Sequence, residues 1–414
     1  MKTEKTKEVT APICDFVRAY ADGKTVRLHM PGHKGEPLLG FEQLDITEIN
    51  GADSLFEANG IIKQSEETAG ELFGANTLYS TEGSSLCIRA MVYLLVKYAN
   101  IQGNKPLIWA GRNAHKTFLS AVALTDCAVE WLWGEEDDSY ISCRISSEAL
   151  EKKLASSWVL PTAVYITSPD YAGNISDVEG IARVCRKYGV LLAVDNAHGA
   201  YLKFLKDSRH PMDLGAHICC DSAHKTLPAL TGCAYLHINK NAPAPLFEGA
   251  KEALAMFGST SPSYLLLQSL DALNVYLRDG FGEKLEELSR SVSSLRDFIE
   301  QIGMKTSGDE PIKLTVLPKT YGYTGEELGD ILRKEGFECE FTDPDIAVMM
   351  FTPSHTEDIF TRLKAVFKKI PKKAAISQKP PKILPQIAAM TPRMAVMLPS
   401  ERVAAQQAIG RVLA

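Results

Sequence analysis

Apolar residues along this chain form two kinds of segment. Short continuous apolar runs predict buried β-strands, at residues 76–80, 106–109, 128–133, 163–167, 190–194, 218–220 and 233–238. Segments with helical spacing of apolar residues predict helices, at residues 11–21, 61–73, 86–98, 178–188, 265–277 and 282–303. Alternation of strand and helix is typical of a parallel sheet. The pattern therefore predicts an α/β fold with a mostly parallel sheet of roughly seven strands and helices on both faces.

The pattern changes after residue 303. Strands are predicted at residues 313–317, 339–341 and 346–351, and helices at 326–335 and 357–368. Lys and Pro dominate residues 368–386, which predicts an irregular connector. We therefore divide the chain into four parts: an N-terminal arm (1–60), a large domain (61–300), a smaller α+β domain (301–370), and a connector with a C-terminal tail (371–414).

Composition and charge exclude several functional classes. The 414 residues are 45% hydrophobic, and 45 basic residues balance 51 acidic ones, for a net charge of -6. This balance argues against a nucleic-acid partner, and we interpret the acidic run 135–138 as solvated surface. No apolar run approaches the roughly 18 residues of a membrane helix, and residues 1–8 lack the apolar core of a signal peptide. We expect a cytoplasmic protein without a membrane partner.

The nine cysteines show neither CxxC pairs nor His-ligand spacing. We expect buried, reduced thiols, with no metal site and no disulfide framework.

Lys225 is the strongest candidate for a catalytic residue. It lies in the stretch DSAHKTLP (residues 221–228), between two predicted strands. A lone loop lysine is usually solvated. A lysine amine with a lowered pKa, however, forms Schiff bases with carbonyls or pyridoxal phosphate. If Lys225 binds this cofactor, the chain must also supply the cofactor's other partners.

Asp195 is the second candidate, because it ends the apolar strand at 190–194. Ligands of open α/β sheets bind outside the carboxyl ends of the strands. In a pyridoxal phosphate enzyme, an Asp there would keep the ring nitrogen protonated and make the cofactor an electron sink. The alternative is a helix cap, and the presence of Lys225 favours the cofactor interpretation.

A third feature is the sequence TEGSS (residues 81–85), between a strand and a long apolar helix. The free N–H groups and the dipole of a helix start bind anions. Ser84 and Ser85 are therefore predicted to bind the cofactor phosphate, with simple N-capping as the alternative. Glu82 beside them would repel a phosphate unless its carboxylate points away.

Three motifs together, residues 195–198 (DNAH), 222–225 (SAHK) and 30–35 (MPGHKG), resemble the ornithine/lysine/arginine decarboxylase family. The similarity runs from about residue 28 to about residue 405. The resemblance implies the aspartate-aminotransferase fold type of pyridoxal 5'-phosphate enzymes and a role in polyamine biosynthesis. It also implies that relatives continue past the position of residue 414 into a further portion near the substrate entrance.

Residue roles follow from the same resemblance. Lys225 would carry the cofactor as a Schiff base, His115 would stack on its ring, and His198 would either neighbour the cofactor or stabilise the turn. Ser222 and His224 would join Ser84 and Ser85 at the phosphate.

The resemblance also implies contacts between subunits. Thr260 would reach the phosphate of a neighbouring subunit, which implies a homodimer or higher even oligomer. His33 and Lys34 would lie near the site and the partner. Two positions depart from the family: Asn196 replaces a glutamate and Tyr201 replaces a histidine.

Three functions are compatible with these residues. The first is decarboxylation of arginine, lysine or ornithine, with no sequence signal for the group that recognises the distal end of the substrate. The second is transamination or elimination on the same fold, in which Arg393 would bind the α-carboxylate. The third is a shortened, non-catalytic paralogue that binds the cofactor.

Overall fold

Two sheets organise the computed structural model, which describes residues 10–135, 139–381 and 387–412. The strands are β1 (Asn76–Ser80), β2 (Leu107–Gly111), β3 (Ala128–Leu132), β4 (Ala163–Thr167), β5 (Leu191–Asp195), β6 (Ile218–Asp221), β7 (Ala234–Ile238), β8 (Lys305–Ser307), β9 (Lys313–Leu317), β10 (Phe341–Thr342) and β11 (Ala347–Met350). The α-helices are α1 (Pro12–Asp22), α2 (Ile61–Phe73), α3 (Gly83–Ile101), α4 (Lys116–Thr125), α5 (Ser147–Ser156), α6 (Val178–Lys187), α7 (Ala223–Thr226), α8 (Ala244–Glu248), α9 (Ala250–Phe257), α10 (Tyr264–Arg278), α11 (Phe281–Gln301), α12 (Gly325–Lys334), α13 (Glu357–Lys369) and α14 (Pro392–Met397).

The large sheet has the order β1-β7-β6-β5-β4-β2-β3. Strand β7 runs antiparallel to both of its neighbours, and the other strands of the sheet share one direction. The mostly parallel α/β fold predicted from the sequence is confirmed. Because β6 and β7 are antiparallel, the segment that joins them, which contains Lys225, lies at the carboxyl edge of the parallel strands.

Helices cover both faces of the large sheet because successive strand residues point to opposite faces. Tyr165, Ala193 and Cys220 pack in one apolar cluster with residues of α3, α4 and α9. Val164, Val194 and Cys219 pack in a second cluster with residues of α5 and α6. By this alternation, the side chain of Asp195 lies on the α3 and α4 face, and that of Asp221 lies on the opposite face.

The smaller sheet has the order β10-β11-β9-β8, with antiparallel pairing throughout. Helices α11, α12 and α13 contribute Leu295, Leu328 and Phe367 to an apolar core shared with α2 and α10. The sequence pattern missed β8, a strand of three residues, as well as α5, α8, α9 and α14. Gly249 separates α8 from α9, and these short segments lack the sustained periodicity that predicts a helix.

Other expectations have clear outcomes. Of the predicted connector, residues 368 and 369 belong to α13, residues 370–381 form no regular element, and residues 382–386 lie outside the described residues. The same holds for residues 136–138 of the acidic run. All nine cysteines are free thiols, and eight of them are buried. No helix in the described ranges has the length and apolarity to cross a bilayer.

Candidate active site

The predicted catalytic residues converge at the carboxyl edge of the large sheet. Asp195 is the last residue of β5, His115 follows β2, and Lys225 lies in the one-turn helix α7 after β6. The sequence placed Lys225 on a turn, and the structure gives that turn helical geometry. The carboxyl ends of neighbouring parallel strands meet at one edge, which brings together residues distant in sequence.

Lys225 and His198 form the centre of the site. The side-chain nitrogen of Lys225 lies 3.0 Å from Nε2 of His198. Burial lowers the pKa of Lys225, against the opposing effect of the negative charge of Asp195. Burial, with the nearby charges of Lys313 and Lys225, also holds the pKa of His198 well below its usual value. A neutral imidazole therefore lies beside a lysine that loses its proton more readily than a solvated one.

Asp195 is a buried carboxylate without a protein counter-ion. Its oxygens accept hydrogen bonds from the hydroxyl of Tyr165 at 3.2 Å and the backbone N–H of Ala197 at 3.2 Å. In the described chain, no cation lies within ion-pair distance of it. Burial raises the pKa of Asp195, while the charges of Lys225 and His115 act to lower it. A buried carboxylate is costly unless it is paired, so this site suits a ligand that brings a cationic N–H.

His115 caps the start of α4. Its Nδ1 accepts a hydrogen bond from the backbone N–H of Thr117 at 3.3 Å and pairs with the Thr117 hydroxyl at 2.9 Å. These contacts fix the ring, whose outer part remains exposed. Partial burial lowers the pKa of His115, and the charges of Asp195 and Lys225 also act on it. The ring is thus an accessible flat surface beside both residues.

The start of α3 is open to an anion. Gly83 has a φ of 68°, a conformation that favours glycine, and no side chain caps the helix. The hydroxyl of Ser222 donates to that of Ser84 at 2.8 Å, and Ser85 lies 3.3 Å from the Thr117 hydroxyl. Uncapped N–H groups beside buried hydroxyls are a ready phosphate site.

Two neighbours of this helix start have their side chains held in place. The Nδ1–H of His224 donates to the carbonyl of Cys233 at 2.9 Å, which leaves its Nε2 available for a ligand. The carboxylate of Glu82 accepts the backbone N–H of Ser259 at 2.6 Å. This contact directs the negative charge of Glu82 to the 259–261 loop.

Some predicted site residues are not brought to Lys225 within the chain. Thr260 is exposed on the loop that Glu82 holds. His33 lies 3.2 Å from Asp45, and Lys34 donates to the carbonyl of His29. Arg393 donates to the carbonyl of Ala123 at 3.0 Å, at the C-terminal end of α4. The hypothesis that Arg393 binds an α-carboxylate stays a prediction.

A buried polar network on the opposite face of the sheet was missed. The carboxylate of Asp221 accepts hydrogen bonds from Nε2 of His210 at 3.0 Å, Nε2 of His237 at 3.2 Å and the amide of Asn196 at 2.6 Å. Burial acts to raise the pKa of Asp221, but the two histidines outweigh it and hold this pKa below its usual range. Asp221 ends β6 as Asp195 ends β5, and this repeated position was the available sequence signal.

The network bears on two earlier expectations. Asn196, one of the two departures from the family pattern, donates a hydrogen bond to Asp221. A glutamate at position 196 would instead place two carboxylates side by side. Among the described residues, His210, Cys219 and Asp221 are close enough to hold a metal ion. Hydrogen bonds already occupy the carboxylate and the imidazole, and burial raises the pKa of Cys219 well above its usual value.

A second missed group lies where the smaller domain contacts the site. Lys313 on β9 lies 2.8 Å from Glu310, and both side chains are almost fully buried. Burial and the nearby carboxylate of Glu310 raise the pKa of the buried Tyr201 hydroxyl well above its usual value. Lys313 further donates to the carbonyl of Asp170 at 3.4 Å. These contacts join the smaller domain to the loop after β4.

Comparisons with known proteins agree with this arrangement. The family model described as Orn/Lys/Arg decarboxylase, major domain, matches residues 11–308. The chain is 29% identical to the arginine decarboxylase of Bacillus subtilis (strain 168), over 97% of this chain and 87% of that protein. It is 28% identical to the arginine decarboxylase of Halalkalibacterium halodurans, over 99% of this chain and 88% of that protein.

Among solved structures, the fold is similar to that of the Francisella novicida lysine decarboxylase LdcF. The TM-score is 0.72 at 18% identity, covering 87% of this chain. The chain spans 60% of the length of that enzyme. The fold is thus that of pyridoxal phosphate enzymes of fold type I. Because the family model covers most of the chain, the protein belongs to the Orn/Lys/Arg decarboxylase family.

Proposed function

We propose that this protein decarboxylates a basic amino acid, arginine, lysine or ornithine, to the corresponding amine and CO2, with pyridoxal 5'-phosphate as cofactor. The observation that carries the proposal is the contact between Lys225, whose pKa is lowered by burial, and the buried His198. The names of the two relatives, both arginine decarboxylases, support it.

The residues present fit the cofactor. The open start of α3, with Ser84 and Ser222, suits its phosphate, and the accessible ring of His115 suits stacking. The unpaired carboxylate of Asp195 suits a protonated ring nitrogen. Buried polar atoms without partners in the described chain, Nδ1 of His198 and the hydroxyl of Thr167, lie around the same edge. Ser85 and His224 complete the proposed phosphate site.

When bound, pyridoxal phosphate supplies an electron sink that retains the electron pair left when the bond to the carboxylate breaks. Lys225 would hold the cofactor until the substrate amine replaces it. Because His198 lies within hydrogen-bond distance of Lys225, the two side chains can exchange a proton at Nε2. One of them returns a proton to the α-carbon after CO2 has left. Asp195 would hold the protonated ring nitrogen, and His115 would cover the ring against water.

We also propose a homodimer or a higher even oligomer, in which Thr260 reaches the phosphate of the neighbouring subunit. The exposed position of the 259–261 loop leaves Thr260 free for such a contact. A cytoplasmic location is proposed from the nine free thiols, which a reducing compartment preserves.

The proposal is tested by adding pyridoxal phosphate to the purified protein and measuring CO2 release from arginine, lysine and ornithine. The visible spectrum is recorded in parallel, beside a Lys225→Ala variant. Release of CO2 from one substrate, lost in the variant with the visible band of the bound cofactor, supports the decarboxylase. A keto-acid product would indicate transamination. A band without turnover of any amino acid would indicate a non-catalytic paralogue.

A further inference from the structure

A tyrosine hydroxyl lies inside the large sheet, beside the carboxylate of Asp195. Tyr165 is in the middle of β4 and is fully buried. In the parallel pairing of β4 with β5, Asp195 lies opposite Thr167, two positions beyond Tyr165 and on the same face. The hydroxyl of Tyr165 donates a hydrogen bond to Oδ2 of Asp195 at 3.2 Å. A buried tyrosine usually needs such a partner, and here the partner is a residue of the candidate active site.

Packing fixes the position of this hydroxyl. The ring of Tyr165 lies against that of Phe118 on α4, with centroids 4.3 Å apart. Both side chains are fully buried in the apolar cluster on the α3 and α4 face. Burial, with the negative charge of Asp195, raises the pKa of Tyr165 well above its usual value. The phenol is therefore a donor across the neutral range, held in place by a close-packed ring.

The other contacts of Asp195 involve its second oxygen. Oδ1 accepts the backbone N–H of Ala197 at 3.2 Å and the thiol of Cys220, directly across on β6, at 3.7 Å. Burial raises the pKa of Cys220 well above its usual value, so this thiol stays protonated. A carboxylate has about four acceptor positions, shared between its oxygens. Oδ1 uses both of its positions, whereas Oδ2 has Tyr165 as its one donor in the described chain and keeps a position for a further N–H.

The orientation of the carboxylate decides whether that position can be used, because a donor binds best along a lone pair of the acceptor oxygen. We propose that Tyr165 is a positioning residue, whose hydroxyl holds Asp195 so that the remaining lone pair of Oδ2 receives the protonated ring nitrogen of the cofactor. The same hydrogen bond favours the charged form of Asp195. This inference rests on the proposed function and extends it to a residue that lies beneath the site and contacts no reacting atom.

The test measures how well the apoprotein distinguishes two probes. One is pyridoxal phosphate, and the other is its analogue with a carbon atom in place of the ring nitrogen, so that only the first can donate an N–H to Asp195. Titration by absorbance gives both Kd values. The wild type should bind pyridoxal phosphate roughly tenfold more tightly than the analogue. Tyr165→Phe should reduce this preference to about threefold or less, while the Kd of the analogue stays within about twofold of the wild-type value.

Two further variants show through which residue the phenol acts. Tyr235→Phe is the matched control, because Tyr235 is also fully buried on a strand of the same sheet but packs in a different apolar cluster. It should leave the preference between the probes within about twofold. Asp195→Asn removes the negative charge and should abolish the preference. Adding Tyr165→Phe to Asp195→Asn should then change the preference no further, because the phenol acts through the carboxylate.

Crystals of the apoproteins give a readout that needs no cofactor. The Asp195 carboxylate should have one orientation in the wild type, with Oδ2 at the Tyr165 hydroxyl. In Tyr165→Phe it should rotate about its Cβ–Cγ bond or occupy more than one orientation. An unchanged carboxylate in Tyr165→Phe would overturn the positioning role, since Ala197 and Cys220 alone would then hold it.

The outcomes distinguish this inference from the proposed function. If the wild type releases CO2 from a basic amino acid and Tyr165→Phe keeps the full preference for pyridoxal phosphate, the role of Tyr165 is wrong and the decarboxylase stands. Equal weakening of both probes would also overturn the role, since it indicates general damage to the site. If Tyr165→Phe loses the preference but no amino acid releases CO2, the proposed function fails and the positioning role stands. A wild type that binds neither probe would overturn both.

Discussion

The amine of Lys225 and Nε2 of His198 lie 3.0 Å apart. Burial lowers the pKa of both residues and so favours their neutral forms. Among the described residues, no charged side chain forms a hydrogen bond with this pair that would retain a shared proton. The pair can therefore both accept and return a proton during one turnover, and this dual capacity is open to test.

Replacement of His198 tests this capacity directly. His198→Asn keeps a polar side chain but cannot accept a proton, so kcat should fall by roughly a hundredfold or more, as general acid–base catalysis predicts. KM and the visible absorbance of the bound cofactor should change little. His355→Asn, at an exposed histidine, serves as the control. A kcat within about threefold of the wild type would show that His198 moves no proton.

Buried histidines should make the apoprotein sensitive to mild acid. Burial lowers the folded-state pKa of both His198 and His237, while an unfolded chain takes up these protons near pH 6.5. The unfolded state then binds more protons, so the stability present above about pH 6.5 is lost as the pH falls. Each histidine contributes up to about 1.4 kcal/mol per pH unit.

Urea unfolding of the apoprotein between pH 8 and pH 5, at fixed protein concentration, measures this dependence. His198→Asn removes one of these contributions, so its unfolding free energy should fall less steeply below pH 6.5 than that of the wild type. Parallel curves for the two proteins would contradict the assignment of His198 as a buried neutral histidine.

Ser84 and Ser222 should control cofactor affinity. The two hydroxyls share a hydrogen bond at the open start of α3, so Ser84→Ala or Ser222→Ala should each raise the Kd for pyridoxal phosphate roughly fivefold to tenfold. The double variant should lose less than the product, because the partners act together. Titration of apoprotein by absorbance gives the Kd, with Ser120→Ala on the exposed side of α4 as the control. An unchanged Kd would place the phosphate elsewhere.

Mixed dimers test whether Thr260 acts across the subunit interface. A Lys225→Ala chain and a Thr260→Ala chain are co-expressed with different tags, and the heterodimer is purified. If Thr260 serves the neighbour, the site containing the intact Lys225 receives an intact Thr260 from its partner. That heterodimer should regain up to about half of the wild-type activity per dimer.

Both homodimers should remain impaired in this experiment. If the heterodimer is no more active than the two homodimers, Thr260 acts within its own chain. A monomer in sedimentation velocity at micromolar concentration would contradict the proposed assembly itself.

The sequence predicted those parts of the site that follow from local order. Asp195 ends an unbroken apolar strand, and Lys225 lies between two others, so their meeting at one sheet edge follows from parallel topology. The glycine and serines before α3 carry their signal locally as well. These patterns depend on neighbours in the chain, and periodicity and turn chemistry record them.

Periodicity could not predict contacts between distant segments. Tyr171 and Glu340 meet only because the smaller domain packs against the loop after β4, and nothing near either residue indicates the other. The sequence pattern makes Lys313 the polar first residue of a predicted strand, although folding buries it beside Glu310. The same limit applies to Arg393, whose partners, the last carbonyls of α4, lie far from it in sequence.

The position of β1 at one edge of the large sheet has a consequence for how the protein is made. Its strand neighbour is β7, so the backbone of Asn76 cannot pair until Ile238 has been synthesised. The ribosome must first synthesise residues 81–233, and until then β1 offers an unpaired edge to other chains. Pairings of such long range slow folding. The loop that begins α3 follows β1 directly, so the anion site becomes ordered late, and nascent chains should depend on chaperones until β7 has emerged.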